Sequence, residues 1–231
     1  MCTFYYIKEQ MFYKINNILR YEHIFKIYAN LTLLSICLFL FSCTVNQEKP
    51  NNYMILEKIE SNLTEYKELE SLIVVKISSQ QLFYLKRGQI EEIYNVSTSA
   101  YGTGSKVNSF KTPLGRHKIS EKIGDGLPEG AILKGRRWTG AIANIIKEPI
   151  DTEFDVVTSR ILWLTGLEQG KNLGSGVDSK SRYIYIHGTA EEGLIGKPAS
   201  DGCVRMYNAD VITLFNKVDV NTEVLIILGN L

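Results

Sequence analysis

The sequence predicts a mostly-β domain, sandwich-like or barrel-like, with a short helix near its C-terminal end. From residue 72 onward, short stretches rich in Val, Ile and Tyr are separated by turn-forming Gly, Pro, Asn and Ser residues, which is typical of successive strands. Apolar residues at helical spacing are few in this part of the chain. The strand–helix alternation of a parallel α/β sheet is absent, which favours an all-β arrangement.

The sequence also marks the turns between these strands. Ser78–Gln80 and Arg87-Gly88 separate the first three strands, and a glycine-containing loop leads through Thr112–Gly115 to the fourth. Asn208 is placed to cap a helix over Ala209–Val218. The predicted strands are Leu72–Ser78, Gln81–Lys86, Ile90–Ser97, Arg116–Ser120, Val156–Leu164, Arg182–His187 and Glu223–Leu228.

The N-terminal region has the sequence pattern of an export signal. Residues 31–41 form an 11-residue apolar run after several basic residues, which is too short for a comfortable membrane span but suits the apolar part of a secretory signal. The run ends in Leu40–Cys43, which resembles a bacterial lipoprotein cleavage box. We therefore expect residues 1–42 to be a lipoprotein-type signal peptide, with lipid on Cys43 holding an exported protein on a membrane of the cell envelope, facing the periplasm or cell wall. A plain signal peptide and an uncleaved anchor are the alternatives.

Two short segments precede the β domain. Residues 43–53 are polar and contain a proline, as expected for a tether. Residues 54–71 carry one apolar helical face and are predicted to form a helical spacer, so the β domain is assigned to residues 72–231. The apolar face consists of Ile55, Ile59, Leu63, Tyr66 and Leu69.

Bulk composition excludes some functions. The 231 residues are 45% hydrophobic and 22% charged, which is ordinary for a folded domain. With 26 basic and 25 acidic residues the net charge is +1, and no basic cluster is interleaved with aromatic residues. We therefore expect no nucleic-acid partner.

Cysteine usage draws attention to Cys203. Cleavage before Cys43 would remove Cys2 and Cys37, and lipid on Cys43 would leave Cys203 as the only remaining thiol. A disulfide within the chain would then be impossible in an oxidising compartment. A buried, inert cysteine is the alternative interpretation.

A histidine upstream makes Cys203 a candidate nucleophile. His187 lies 16 residues earlier, at the end of the predicted strand Arg182–His187. Alternation along that strand places Tyr183, Tyr185 and His187 on one face. An imidazole within reach can generate the thiolate that a cysteine nucleophile requires. Structural histidines are more common than catalytic ones, but the nearby cysteine loop favours catalysis.

The loop around Cys203 supports this interpretation. Gly202 allows the backbone to approach a substrate, and the amides of Gly202 and Cys203 could face a developing oxyanion. Arg205 is either a carboxylate-binding residue or part of a structural ion pair, with equal weight. His117 lies within a strand pattern and is expected to be structural, whereas His23 belongs to the signal region.

Three motifs resemble a known family: Thr112-Pro-Leu-Gly115, His187-Gly-Thr189 and Ser200-Asp-Gly-Cys-Val-Arg205. Through them the stretch Leu72–Leu228 resembles the L,D-transpeptidase catalytic domain of the YkuD type, which crosslinks bacterial peptidoglycan. Arg160–Asn172 and Asp210–Phe215 also look like that family.

The resemblance implies a reaction and roles for named residues. Cys203 would form a thioester with the third residue of a tetrapeptide stem, releasing D-Ala, with His187 as base and an amine as acceptor. Oxyanion or loop support would come from Gly202, Gly188 and Ser200, and substrate contacts from Arg205, Thr189 and Tyr185. The family implies no metal or cofactor, and it implies acylation by carbapenem-type inhibitors.

One position departs from the family pattern. The family usually has His before the Gly-Cys pair, whereas this chain has Asp201. A carboxylate pointing at Cys203 would oppose thiolate formation, so we expect Asp201 to face away or to bond the loop. The alternatives are an L,D-carboxypeptidase or endopeptidase on the same scaffold, and an inactive peptidoglycan-binding module.

Overall fold

The described part of the chain consists of ten strands and one α-helix, joined by loops and two short 3-10 turns. The computed structural model describes residue 66 and residues 68–153 and 156–229, all within the unit Asn52–Leu231. The elements are β1 (Ser71–Lys76), β2 (Gln81–Lys86), β3 (Gln89–Ser97), β4 (Gly115–Ile123), β5 (Ala131–Lys134), β6 (Arg137–Ile142), β7 (Val157–Gly166), β8 (Tyr185–Thr189), β9 (Val204–Met206), α1 (Asn208–Lys217) and β10 (Glu223–Ile227).

Eight of the strands close into a ring. Their order is β4-β10-β1-β2-β3-β9-β8-β7, and β4 also pairs with β7, which returns the sheet to its start. Most neighbours are antiparallel, but β1–β10 and β8–β9 are parallel. The β5–β6 hairpin lies outside the ring and joins β7 through Ile132 and Thr158. The prediction of a mostly-β, barrel-like domain is confirmed.

The main core fills the ring and is covered by α1. Val211, Leu214 and Phe215 of the helix share this core with Ile186 of β8 and with Ile184, which directly precedes that strand. Burial of such aliphatic and aromatic side chains contributes about 1.5–3 kcal/mol each. The helix predicted over Ala209–Val218 is thus found at Asn208–Lys217, and burial of its apolar face stabilises it.

The alternation of side chains predicted for Arg182–His187 is found in the structure. Ile184 and Ile186 belong to the main core. Tyr185 instead packs with Leu133 and Ile161 in a separate cluster on the other face of β8. The ordered strand, Tyr185–Thr189, begins three residues later than predicted, because the chain before it makes a turn with Tyr183 at φ 58°.

Two strand regions and one cap differ from the sequence predictions. The β5–β6 hairpin and β9 were not predicted. Asn208 was wrongly predicted as a side-chain cap: the residue before the helix is Tyr207, and no side chain caps it. The Asn208 side chain instead bonds the Thr189 carbonyl and the Thr158 and Ser159 hydroxyls inside the fold. These buried partners outweigh a local cap.

The N-terminal predictions lie largely outside the described residues. This applies to the signal peptide, to Cys43, to the tether and to most of the 54–71 spacer. At the described end of the spacer, Glu68 is in a turn and Ser71 already belongs to β1, so the helix cannot extend to residue 71. Among the described residues, no helix combines the length and apolarity needed to cross a membrane.

Candidate active site

Cys203 lies at the end of the parallel β8–β9 pair where both strands begin. It immediately precedes β9, whose Val204 and Arg205 are in register with Ile186 and His187. The Cys203 Sγ accepts a bond from the Tyr185 N–H at 3.4 Å and contacts the Tyr183 carbonyl at 3.3 Å. The thiol is partly exposed. It is therefore held against the start of β8 while remaining accessible.

His187 shares a strand face with Tyr185, whose amide contacts the thiol. The two rings meet edge to face with centroids 6.3 Å apart, and the imidazole is 1% exposed. His187 Nδ1 lies 2.8 Å from the Gly188 carbonyl oxygen. Since a carbonyl only accepts, Nδ1 carries the proton when the ring is neutral, and Nε2 is the basic nitrogen.

The turn before Cys203 is fixed by Ser200. Its hydroxyl donates to the Cys203 carbonyl at 2.6 Å and accepts the Gly202 N–H at 3.2 Å. Ser200 thus occupies a loop-supporting position. Because the Gly202 N–H is engaged by Ser200, this geometry does not support the expectation that it faces an oxyanion.

Gly202 is required by backbone shape. Its φ is +117°, and a Cβ there would lie 3.3 Å from the Lys111 carbonyl oxygen and 3.4 Å from Ile184 Cδ1. A side chain would be strained in this conformation and would also press on the neighbouring loop. Gly202 therefore lets the loop carrying Cys203 pass close to residue 111.

Gly188 and Thr189 occupy structural positions. A Cβ on Gly188 would meet Asn208 Oδ1 at 2.6 Å and the Thr158 carbonyl at 2.9 Å, so this glycine permits close packing beneath the strand. Thr189 is fully buried, and its hydroxyl accepts the Glu191 N–H at 3.0 Å. The geometry does not support an oxyanion role for Gly188 or a substrate contact for Thr189.

Arg205 forms the buried ion pair that the sequence left open. Its Nη1 lies 2.6 Å from Glu191 Oε2, and the two side chains are 2% and 0% exposed. Its Nη2 donates to the Ala199 carbonyl. With its Nη1 and Nη2 groups bonded to Glu191 and Ala199 inside the fold, the guanidinium is not positioned for a substrate contact. The ion pair, rather than the carboxylate-binding role, is the arrangement found.

Glu191, the acidic partner of Arg205, was not predicted from the sequence. Glu191 also accepts bonds from the Thr152 backbone N–H at 2.8 Å and from its hydroxyl. The carboxylate thereby joins the segment around residue 152 to β9. No motif marked Glu191, because its partners are 14 and 39 residues away.

Arg182 was also missed. Its Nη2 donates to the Lys111 carbonyl at 2.7 Å, and its Nη1 to the Gly104 carbonyl at 3.3 Å. Burial lowers the pKa of this guanidinium, while attraction to the Cys203 thiolate acts in the opposite direction. An arginine remains charged despite such a shift. Arg182 therefore fixes the loop beside Gly202 and brings positive charge near the nucleophile.

Thr112, from the first family motif, completes the support of the loop. It is fully buried, its hydroxyl donates to the Gly202 carbonyl at 3.0 Å, and it accepts the Ser99 N–H at 3.0 Å. The motif therefore acts on the cysteine loop from a position 90 residues away.

Two polar residues take no direct part in this arrangement. Asp201 is exposed, in agreement with the expectation that its carboxylate faces away from the thiol. His117 is buried between the Gly115 carbonyl at 2.9 Å and the Ser179 hydroxyl at 3.0 Å. Burial lowers the pKa of His117 to about 4, so it is a neutral structural residue at pH 7.

A family model and a named relative both match this chain. The family model of the L,D-transpeptidase catalytic domain, YkuD, matches residues 70–226. The Bacillus subtilis (strain 168) protein named "Putative L,D-transpeptidase YqjB" is 46% identical over 161 residues, covering 67% of this chain and 69% of that protein.

Solved structures in the same family are more distant. An L,D-transpeptidase from Mycobacterium smegmatis is 15% identical, with a TM-score of 0.41 over 68% of this chain and 58% of its own. L,D-transpeptidase 3 from Mycobacterium tuberculosis, in complex with a faropenem-derived adduct, is 16% identical, with a TM-score of 0.43 over 68% of this chain and 60% of its own. The chain thus spans about three fifths of these solved chains. On the match over residues 70–226 and the identity to the Bacillus subtilis protein, this chain belongs to the YkuD family of L,D-transpeptidase catalytic domains.

Proposed function

We propose that the protein is a peptidoglycan L,D-transpeptidase that uses Cys203 as nucleophile and His187 as general base. The observation that carries the proposal is the position of the Cys203 thiol. It contacts the Tyr183 carbonyl in the turn before β8 and the Tyr185 N–H at the start of β8, the strand that carries His187. Family membership supports the reaction class.

In the proposed first step, Cys203 attacks the donor stem. His187 Nε2 takes the thiol proton, and Sγ attacks the carbonyl of the third stem residue. The C–N bond to the terminal D-Ala then breaks, its nitrogen receives the proton from His187, and a thioester remains on Cys203.

In the proposed second step, an amine of another stem attacks the thioester. The new amide forms as the C–S bond breaks, and Cys203 recovers its proton through His187. Water in place of the amine would give carboxypeptidase activity instead. No cofactor enters either step.

Backbone groups support both charged states of the reaction. The Tyr185 N–H donates to Sγ, and a hydrogen bond to the anionic form favours the thiolate. We assign oxyanion stabilisation to the Cys203 N–H, because the amide of an acylated nucleophile lies next to the tetrahedral centre.

The test uses a defined tetrapeptide donor, with and without an acceptor stem. Wild-type protein is expected to release D-Ala and to form a crosslinked product that mass spectrometry detects. Cys203→Ala is expected to form neither product while remaining folded. Hydrolysed product alone, in the presence of acceptor, would identify a carboxypeptidase. No product from the wild type would favour a peptidoglycan-binding module.

Carbapenem acylation provides an independent check on the nucleophile. A strained β-lactam carbonyl accepts a thiolate, so we expect a covalent mass increase that maps to Cys203. Cys203→Ala should show no increase. Acylation of Cys203 without turnover of stem peptides would retain the nucleophile but reject the substrate assignment.

We further propose that the protein is exported and anchored in the cell envelope by lipid on Cys43. The sequence Leu40–Cys43 after an apolar run supports this placement. Cys43→Ala should move the protein from the membrane to the soluble fraction. Retention of that variant on membranes would identify an uncleaved anchor.

A further inference from the structure

A stack of aromatic rings and one guanidinium lies beside Cys203. The Arg136 guanidinium is 4.6 Å from the Trp163 ring centroid and 5.2 Å from that of Tyr183. The Trp163 and Tyr183 rings stack at 5.9 Å and 29°, and Tyr185 meets Trp163 edge to face at 5.7 Å. Arg136 Nη1 donates to the Tyr185 hydroxyl at 3.4 Å. We call these four residues the aromatic–cation wall.

The wall adjoins the nucleophile through two of its members. Tyr183 supplies the carbonyl and Tyr185 the N–H that contact Cys203 Sγ. Trp163 and Cys203 also pack against the same apolar cluster. Tyr183 is 53% exposed and Cys203 is partly exposed, so both the wall and the thiol are in part open to solvent.

The positive charge of Arg136 is not neutralised by an acidic side chain among the described residues. Within the described ranges it makes no ion pair, and its one hydrogen-bond partner, Tyr185, is a phenol. Burial raises the pKa of Tyr185, so the phenol is neutral at pH 7. The carboxylate of Glu121 is engaged by Lys180 at 2.9 Å.

Arg136 occupies a backbone position that favours other residues. It follows Gly135 in a two-residue turn between β5 and β6, with φ values of 56° and 66°. Turns of this kind prefer Gly and Asn because both central residues are left-handed. Tyr183, beneath Arg136, is also left-handed. Strained backbone conformations of this kind cluster at ligand-binding sites. There the function of a particular side chain outweighs the lower strain that Gly or Asn would have.

We propose that Arg136 is a specificity-determining residue that binds a carboxylate of the donor stem peptide. A guanidinium above aromatic rings, with one N–H group donated to Tyr185, keeps further N–H donors from which a carboxylate can accept two hydrogen bonds. This inference rests on the proposed function, because the stem supplies the carboxylate. Its C-terminal carboxylate and its internal carboxylates share this chemistry.

The test measures binding to the full chain carrying Cys203→Ser, so that recognition is scored without turnover. Three tetrapeptides with a diamino acid in third place are titrated by NMR: one unmodified, one with a C-terminal amide and one with its internal carboxylates amidated. Amidation of the recognised carboxylate is expected to weaken binding by about 10- to 100-fold. The peptide that loses affinity identifies which carboxylate binds.

The matched variant is Arg136→Asn, because Asn tolerates the left-handed turn. It should bind all three peptides about equally and weakly. Arg137→Gln, which removes a charge from the next residue, should discriminate among the peptides as Arg136 does. Equal discrimination in Arg136→Asn and in its parent would overturn the proposal, as would the absence of binding of all three peptides.

The two proposals fail separately. Discrimination that depends on Arg136, without turnover by wild-type protein, would reject transpeptidation and retain carboxylate recognition. Transpeptidation with unchanged discrimination in Arg136→Asn would retain the activity and reject the role of Arg136.

Discussion

Arg205 and Glu191 form an ion pair beneath the cysteine loop, with 2.6 Å between nitrogen and oxygen and with both side chains buried. The same guanidinium bonds the Ala199 carbonyl at the start of that loop. The pair therefore connects the residue that follows the nucleophile by two positions to the segment held by Thr152.

Glu191→Gln should strongly destabilise the fold. It leaves the Arg205 charge buried without its counter-charge, and breaking a buried pair costs about 3–5 kcal/mol. Urea unfolding measures the change. Glu121→Gln, which breaks the exposed pair with Lys180, is the matched control and should cost less than about 1 kcal/mol. A loss of similar size in both variants would contradict the structural importance of the buried pair.

The buried His117 should make stability depend on pH. Its pKa is lowered to about 4 by burial, against 6.5 in the unfolded chain. Between these values the unfolded state binds the extra proton, so stability is complete above pH 6.5 and falls as the pH drops towards 4. The loss attributable to this group is about 3 kcal/mol. Urea unfolding of wild type and His117→Asn across pH 4–7 should show a shallower slope in the variant. Parallel slopes would show that His117 is not the group responsible.

His187→Gln should slow both turnover and the modification of Cys203. Glutamine can occupy much of the imidazole volume but cannot take the thiol proton. Loss of a positioned base typically costs about 100-fold or more in rate. Iodoacetamide labelling at pH 7 reports thiol activation without a substrate, and urea unfolding verifies the fold. Unchanged labelling of a folded variant would remove His187 from the role of base.

Gly202→Ala should reduce the reactivity of Cys203 as well as stability. A non-glycine residue in this conformation costs about 1–3 kcal/mol, and its Cβ would press on the Lys111 carbonyl. Gly126→Ala is the matched control, since Gly126 also has positive φ but nothing within 4 Å of the added Cβ. Both variants should be destabilised, but only Gly202→Ala should slow labelling of Cys203. Equal labelling in the two variants would argue against a positioning role for this glycine.

Local patterns in the sequence were enough to predict the fold class and to select Cys203 and His187 as candidate site residues. Alternation along the strand predicted the face of His187, and the turn around Gly202 predicted a constrained loop before Cys203. Both signals are local, because strand periodicity and glycine conformation act over a few residues.

The remaining parts of the site depend on distant contacts. Glu191, Arg182 and Thr112 act through partners between 14 and 90 residues away, and no local pattern specifies such pairs. The β5–β6 hairpin was not predicted for a different reason. All six residues of β6 are exposed, so its sequence lacks the alternation that marks a half-buried strand.

The parallel pairing of β8 and β9 affects how much the length of the connection between them can vary. The registered ladder, and not the length of the intervening chain, fixes the spatial separation of His187 and Cys203. The crossover between the two strands passes through an exposed stretch at Gly196–Pro198. This stretch is bonded to β3 through the Gly196 N–H and the Lys197 carbonyl, so an insertion that preserves these two bonds would lengthen the connection and leave the β8–β9 pairing unchanged. The number of residues between the histidine and the cysteine can therefore change while the two side chains keep their relative positions.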